Sequence, residues 1–382
     1  MLEMIDKYLM ENSPLTTKPH YVLLDGLRGI AALMVLLYHL NEAIAFAAGA
    51  AEQKFFHGFM GVDFFFILSG FVMGYAYDER WDKMSIGQFV KRRLIRLHPM
   101  VVFGVAVGVV CFAIQGFTNW DGERATTSVL MLATLMALFI LPVPSSLDVR
   151  GNTEAFPLNG PHWSLFFEYI GSLLYAICIR KLKTRWLAVL VACPVIAMLV
   201  INLIDPSCGI AYGWSSEPDN MAKGILRMLY GYPMGLLLAR LFRSWKPSAI
   251  ARVPMFTLCS ILLIAVLSVP SFTTINPQLK VWYEIFCIVV VFPLIILYAA
   301  RGEASGAKRS VINFIGRLSY PLYAVHYPLI YLYIHWINTH QHPFGTSAWA
   351  TPLAIAAISI VLATLALLFY DEPLRRKLSR KL

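Results

Sequence analysis

Charged residues are scarce in this 382-residue sequence: only 14% of its residues are Asp, Glu, Lys or Arg, while 58% are hydrophobic. A soluble domain carries roughly a quarter charged residues. The apolar residues form about eleven stretches of roughly 17 to 25 residues, which is long enough to cross a hydrocarbon core of about 30 Å. This pattern excludes a soluble enzyme with an apolar core. It predicts an all-α fold, a polytopic transmembrane helical bundle.

Several motifs of known chemistry are also missing. The six cysteines are scattered without a CxxC pair, so we predict neither a disulfide framework nor a metal site. The Walker pattern GxxxxGK[ST] and the dinucleotide fingerprint GxGxxG do not occur. Residues 1–20 are polar and show no signal-peptide pattern, so the first apolar span is expected to direct the chain to the membrane.

The basic residues, which give a net charge of +10, are concentrated in short segments between the apolar stretches. These segments are 91–96, 180–185, 240–246, 308–309 and 375–381. Short basic loops are typical of the cytoplasmic side of a membrane protein. The charge therefore predicts membrane orientation and contact with membrane lipids, and it argues against nucleic-acid binding.

The charge pattern also predicts the path of the chain. We place spans near 22–46, 59–78, 98–116, 124–142, 163–180, 186–204, 223–242, 253–270, 280–300, 317–337 and 348–370. The loops put both ends of 124–142 on the outer face, so we expect about ten full crossings, with this segment re-entrant or interfacial. The predicted organisation is a cytoplasmic N-terminal segment at 1–20, one transmembrane domain at 21–371 and a basic cytoplasmic tail at 372–382, with both termini in the cytoplasm.

The first span carries two side chains that are costly to place inside a membrane, Arg28 and His39. On a helix they lie within roughly 20° of one face and about 16 Å apart along the axis, and Asp25 shares that face. Arginine suits bidentate binding of a phosphate or carboxylate. Histidine suits proton transfer near neutral pH.

Other polar side chains within the apolar stretches are site candidates, because ionisable groups in spans are costly and usually functional. The structural alternative for each charged one is an ion pair that fixes helix packing or a side chain that reaches the interface. Arg93 and Arg96 share one face of a predicted short interfacial helix, where they enforce orientation or bind the phosphates of a cytosolic cofactor. The remaining candidates are Asp63, Ser69, Ser164, Glu168, Tyr323 and His326.

Five motifs together resemble one family. Arg28 and His39 match an R/K-x10-H pattern, residues 61–71 match GVDxFFxxSGF, and Arg93 and Arg96 match RxxR. Trp163 to Glu168 match WSLxxE, and 316–328 nearly match GxxSYxxYxxHxP. From about Tyr21 to Tyr370 the chain resembles the acyltransferase-3 family of membrane-bound O-acyltransferases, many of them O-acetyltransferases.

The resemblance implies transfer of an acyl group, most often acetyl, from acyl-CoA to a hydroxyl of an extracytoplasmic glycan or lipid-linked sugar. It implies acetyl-CoA as a co-substrate, no permanently bound cofactor, and a multi-pass location in the bacterial cytoplasmic (inner) membrane. His39 would be the catalytic histidine, and Arg28, Arg93 and Arg96 would bind acyl-CoA. Glu168 would join His39 as a catalytic residue, because an acid can orient an imidazole. Asp63, Ser69, Trp163, Ser164, Tyr323 and His326 belong to the site without an assigned step.

Some questions stay open at this level. His39 is either a base or a transient acyl carrier. Transfer is completed by the chain itself, by a separate extracytoplasmic transfer protein, or within a homo-oligomer. The alternative function is a proton-coupled transporter or flippase of a small molecule or lipid-linked sugar, because buried Arg, His and Glu also serve conduction. We detect no inverted repeat, which is a common sign of a transporter.

Overall fold

The computed structural model describes residues 21–47, 56–207, 209–244, 255–271, 276–339 and 350–380. These ranges are mostly helical and contain no β-strand, only three isolated β-bridges. The predicted cytoplasmic segment 1–20 lies outside the described residues. The helices are α1 Val22–Ala47, α2 Gly61–Tyr77, α3 Ile86–Ile114, α4 Thr127–Leu138, α5 His162–Ile177, α6 Thr184–Ile204, α7 Pro218–Ser244, α8 Met255–Leu267, α9 Pro277–Phe286, α10 Phe292–Ala299, α11 Gly306–Thr339, α12 Ala350–Ala366 and α13 Glu372–Ser379.

Seven helical segments in this part of the chain are long and apolar enough to cross a membrane. They are Val22–Ala45, His57–Tyr77, Ile86–Ile114, Thr184–Ile204, Pro218–Arg243, Pro277–Ala299 and Ala350–Ser379. Many of their outward-facing residues are large and apolar, as lipid contact requires. The predicted all-α polytopic bundle is confirmed.

Two long helix pairs form the centre of the bundle. Helix α1 packs along α11, and α2 packs along α7. The α2–α7 pair meets at glycines, since a Cβ on Gly70 would overlap the carbonyl oxygen of Tyr232 and one on Gly235 would overlap that of Ile67. Small residues let membrane helices approach closely. The site residues on α1, α2 and α11 are therefore held on a tightly packed frame.

Helix α3 differs from the prediction. The sequence predicts a basic loop and short interfacial helix before a span at 98–116, whereas the structure has one continuous helix, Ile86–Ile114. Ser85 caps it by accepting a hydrogen bond from the Gln88 backbone N–H at 3.2 Å, and the Gln88 side chain accepts from the Ser85 N–H at 2.9 Å. The basic run and Pro99 argue against one long helix in the sequence, but the helix continues through both because tertiary packing stabilises it. Arg93 is buried within it as a result.

The predicted odd segment, 124–142, contains the short helix α4. Before α4, Thr118 and Arg124 form a β-bridge. After α4, the chain returns to the same region, because the Trp120 N–H donates to the Arg150 carbonyl oxygen at 3.1 Å. The chain before and after this segment therefore lies close together. The re-entrant or interfacial path on the outer face stays a prediction.

Two π-helical segments interrupt the helices, at Cys287–Val291 and Leu367–Asp371. Each is followed within two residues by a proline, Pro293 or Pro373. Proline cannot donate the backbone hydrogen bond that a regular helix needs, and π-bulges often accompany such interruptions. The second π segment leads into α13, so most of the predicted basic tail, 372–382, is a helix that packs against α3.

Candidate active site

The two histidines predicted for the site lie together. His39 on α1 and His326 on α11 are joined by a hydrogen bond of 3.1 Å between His39 Nδ1 and His326 Nε2, and their rings are stacked. His326 is 1% exposed, whereas His39 is only partly buried. The pair therefore has an inner member enclosed by protein and an outer member that a substrate can reach.

The contacts of His326 fix which nitrogens carry protons. Its Nδ1 lies 3.0 Å from the carbonyl oxygens of Leu322 and Tyr323, which can only accept hydrogen bonds. Nδ1 of neutral His326 therefore carries the proton, and Nε2 accepts from Nδ1 of His39. This assignment leaves Nε2 of neutral His39 with a lone pair, which is the arrangement a general base needs.

Tyr323 and Ser164 connect this pair to α5. Their hydroxyl groups are 2.7 Å apart, and the Tyr323 hydroxyl also lies 3.3 Å from the Pro161 carbonyl oxygen. Because the Tyr323 carbonyl oxygen contacts His326, this hydrogen-bond chain fixes the helical turn that carries His326. Ser164 and Tyr323 thus help to hold His326 in place against His39.

The predicted donor-binding residues form a second group, the arginine cluster: Arg28, Arg93 and Arg96, together with Glu168. The charges of Arg93, Arg96 and Glu168 all act on Arg28. Arg28 forms an ion pair with Asp25, and Arg93 forms one with Glu168 at 2.6 Å. The Ser69 hydroxyl donates to the same Glu168 oxygen at 3.3 Å, so Ser69 belongs to this cluster and does not act as a nucleophile beside a histidine.

The position of Glu168 corrects one expectation. The sequence analysis expects Glu168 to orient the imidazole of His39, but its carboxylate pairs with Arg93, while His326 occupies the position next to His39. Glu168 and His326 lie on different helices, and the sequence gives no information on which of them meets His39. The structure therefore places Glu168 in the arginine cluster and His326 next to His39.

Arg96 stands out within the cluster. It is exposed, and no carboxylate in the described ranges forms an ion pair with it. Arg93 is only 4% exposed, yet its Nε atom has no hydrogen-bond partner there. The cluster therefore retains cationic hydrogen-bond donors that are available to an anion.

Asp63 and Trp163 form a third group around Arg227. Two oxygens of Asp63 accept hydrogen bonds from Arg227 at 3.0 and 2.7 Å, and both side chains are 2% exposed. The Trp163 ring lies against the Arg227 guanidinium, with 5.1 Å from Cζ to the ring centroid. This is the structural ion pair that the sequence analysis weighs as an alternative, and it ties α2 to α7.

A polar group that was not predicted from the sequence lies near the histidine pair, around Arg150 and Glu154. Arg150 is 1% exposed, and its guanidinium lies over the Tyr331 ring, whose hydroxyl donates to Glu154. Burial raises the pKa of Glu154 to about 7. Tyr327, one turn before Tyr331, contacts the His39 ring edge-on at 4.7 Å between centroids. The loop holds three charged residues, Asp148, Arg150 and Glu154, among other polar ones, so the sequence carries no signal that singles this group out.

Comparison with known proteins shows the family of this chain. A family model for acyltransferase-3, described as an acyltransferase domain, matches residues 21–371. The chain belongs to the acyltransferase-3 family. The matched range begins just before α1 and ends at Asp371, so it includes the histidine pair and the arginine cluster.

Three relatives show the range of this family. Acyltransferase MdmB of Streptomyces mycarofaciens is 28% identical over 94% of this chain and 92% of its own length. Peptidoglycan O-acetyltransferase OatA of Listeria monocytogenes is 26% identical over 92% of this chain, but the chain spans only 55% of that relative. Protein 2 in the picA locus of Rhizobium radiobacter is 34% identical over 41% of this chain and 81% of its own length. No solved structure matches the chain.

These findings identify the acyltransferase-3 chain as a multi-pass membrane O-acyltransferase. The five motifs predicted this membership. The geometry adds what the motifs lack, which is the direct contact between His39 and His326 and the separation of the arginine cluster from it.

Proposed function

We propose that this protein transfers an acyl group, most often acetyl, from acyl-CoA to a hydroxyl of an extracytoplasmic glycan or lipid-linked sugar. The single observation that carries the proposal is the hydrogen bond between His39 Nδ1 and His326 Nε2, from which we infer that Nε2 of His39 keeps a lone pair. A hydroxyl is a poor nucleophile at its ordinary pKa and needs a positioned base of this kind.

The donor enters at the arginine cluster. Arg96 meets its phosphates, because it has no carboxylate partner among the described residues, and Arg28 and Arg93 add positive charge. Arginine binds phosphate through paired, charge-assisted hydrogen bonds. Since Arg28 and His39 lie about 16 Å apart along α1, a donor held by its phosphates extends its thioester toward the imidazole.

The chemical step needs one proton acceptor. Nε2 of His39 removes the proton from the acceptor hydroxyl as its oxygen attacks the thioester carbonyl. The carbon–oxygen bond forms, the carbon–sulfur bond breaks, and the proton on Nε2 passes to the departing CoA sulfur. The resulting ester leaves on the acceptor. His326 holds the His39 ring in the required tautomer and shares its transient positive charge, a role that a carboxylate plays in serine hydrolases.

The location follows from the same arrangement. Acyl-CoA is a cytosolic compound, so the arginine cluster faces the cytoplasm, and both chain termini lie on that side of the bacterial inner membrane. The acceptor reaches His39 from the opposite side, past Tyr327. No resident cofactor takes part, and a separate transfer protein or a second copy of the chain would act only after this step.

The test is complementation of a deletion strain with wild-type protein or with His39→Ala. Mild alkali releases ester-bound acetate from the cell envelope, and the released acetate is measured. We expect the strain with His39→Ala to release at least about a hundredfold less acetate than the strain with wild-type protein, because a positioned base contributes roughly 10²–10⁴ in rate.

His335→Ala is the matched control, since His335 lies near the far end of α11 and should retain wild-type acetylation. Full acetylation by His39→Ala, at equal protein level in the membrane, would contradict the proposal.

A further inference from the structure

The arginine cluster has a fourth arginine that the family motifs do not include. Arg375 on α13 acts electrostatically on both Arg28 and Arg96. Its Nη2 pairs with Asp371 at 2.9 Å, and its Nε is buried without a hydrogen-bond partner among the described residues. The C-terminal helix thus brings a further cation to the arginines of α1 and α3.

The pairing pattern of the four arginines is uneven. Arg28 pairs with Asp25, Arg93 with Glu168 and Arg375 with Asp371, while Arg96 has no such partner in the described chain. Each of the three paired arginines also keeps a buried Nε without a hydrogen-bond partner. A buried unsatisfied donor is costly. A cluster that keeps three of them, beside one unpaired arginine, is suited to an anion with several oxygens.

A π-helical segment before α13 determines where Arg375 lies. The π segment Leu367–Asp371 shifts the helical register just before Pro373, and it places Asp371 inside the bundle at 1% exposure. Asp371 acts on Arg96 as well as Arg375. One residue further on, Arg376 points away, with a side chain 48% exposed and a pairing to Glu372. π-bulges are frequent at functional sites.

We propose that Arg375 is a phosphate-binding residue of the donor site, so that α13 forms one wall of the site that holds the phosphates of acyl-CoA. This inference rests on the proposed function, because that function supplies the phosphorylated donor. Asp371 is a positioning residue, which holds Arg375 when the site is empty.

The competing interpretation is that Arg375 and Asp371 form a structural ion pair that only fastens α13 to α3. The two interpretations predict opposite effects for the two partners. A phosphate-binding arginine loses affinity when its charge is removed, whereas loss of the Asp371 charge makes the cluster more positive and strengthens anion binding. A structural pair weakens binding when either partner is removed.

The experiment measures equilibrium binding of radiolabelled CoA to the purified full-length protein. We expect Arg375→Gln to weaken binding about tenfold or more, Arg375→Lys to weaken it less, and Asp371→Asn to leave it unchanged or tighter. Arg376→Gln is the matched control and should bind as the wild type does. Thermal unfolding in detergent confirms that each variant is folded.

A second probe, S-acetyl-pantetheine, carries the thioester without phosphates. Because this donor makes no phosphate contact, Arg375→Gln should slow its turnover much less than it slows turnover of acetyl-CoA. Equal CoA affinity in Arg375→Gln and wild type, or equal weakening in Arg375→Gln and Asp371→Asn, overturns the proposal. If wild-type protein binds CoA but transfers no acyl group, the proposed function fails while the phosphate site stands; if it binds no CoA, both fail.

Discussion

At the scale of single residues, the contact between His39 and His326 gives each imidazole a different task. Two backbone carbonyls fix the proton of His326, and His326 in turn fixes the proton of His39. The sequence predicted both histidines as site residues but not their contact, because the two are 287 positions apart. It paired His39 with Glu168 instead, since a carboxylate is the commoner partner of a catalytic imidazole.

Replacement of His326 tests this division of tasks. We expect His326→Ala to lower kcat roughly 10–100-fold with little change in the KM for acyl-CoA, because the His39 ring loses its orientation while the arginine cluster is untouched.

His326→Gln offers an amide oxygen that can accept from His39 Nδ1, so it should retain more activity than His326→Ala. Steady-state kinetics with labelled donor measures both. A change confined to KM in either variant would contradict the orienting role.

At the scale of helices, the glycine contact between α2 and α7 fixes where the side chains of α2 lie. Ser69 immediately precedes Gly70 and reaches Glu168, and Asp63 lies two turns earlier against Arg227. The glycines of 61–74 are typical of a closely packed membrane helix, but they do not name the partner helix. The continuity of α3 was also not predicted, because hydropathy falls across the basic run 91–96, in which Arg93 is buried.

A Gly235→Ala variant measures how tight this contact is. The added Cβ meets the Ile67 carbonyl oxygen, which belongs to a rigid backbone, so we expect destabilisation of at least about 1–3 kcal/mol and a lower unfolding temperature in detergent.

Gly87→Ala is the control, because Gly87 is exposed at the start of α3 and its added Cβ has its nearest neighbour, Ser85 Oγ, at 3.9 Å. That change should be neutral or stabilising by up to about 1 kcal/mol. Equal unfolding temperatures for the two variants would show that the α2–α7 contact is looser than described.

At the scale of the whole molecule, the bundle separates two chemical environments. The arginine cluster lies at one end of α1, the histidine pair lies about three helical turns away, and the buried loop with Arg150 and Glu154 lies beyond it. Hydropathy and loop charge predicted the all-α bundle, since both depend on composition over long stretches. They could not predict that loop 139–161 folds into the bundle, because its polar contacts are tertiary.

The central claim is that this bundle cleaves a thioester and passes the acyl group on, in contrast to a transporter that moves an intact molecule. The most direct measurement uses purified wild-type and His39→Ala protein in lipid vesicles, with acetyl-CoA labelled in its acetyl group and an envelope extract of the host as acceptor source. We predict that the wild type releases free CoA thiol and moves the label into the extract, and that His39→Ala does so at least about a hundredfold more slowly. Label that stays on intact CoA, or equal transfer by both proteins, would contradict the account.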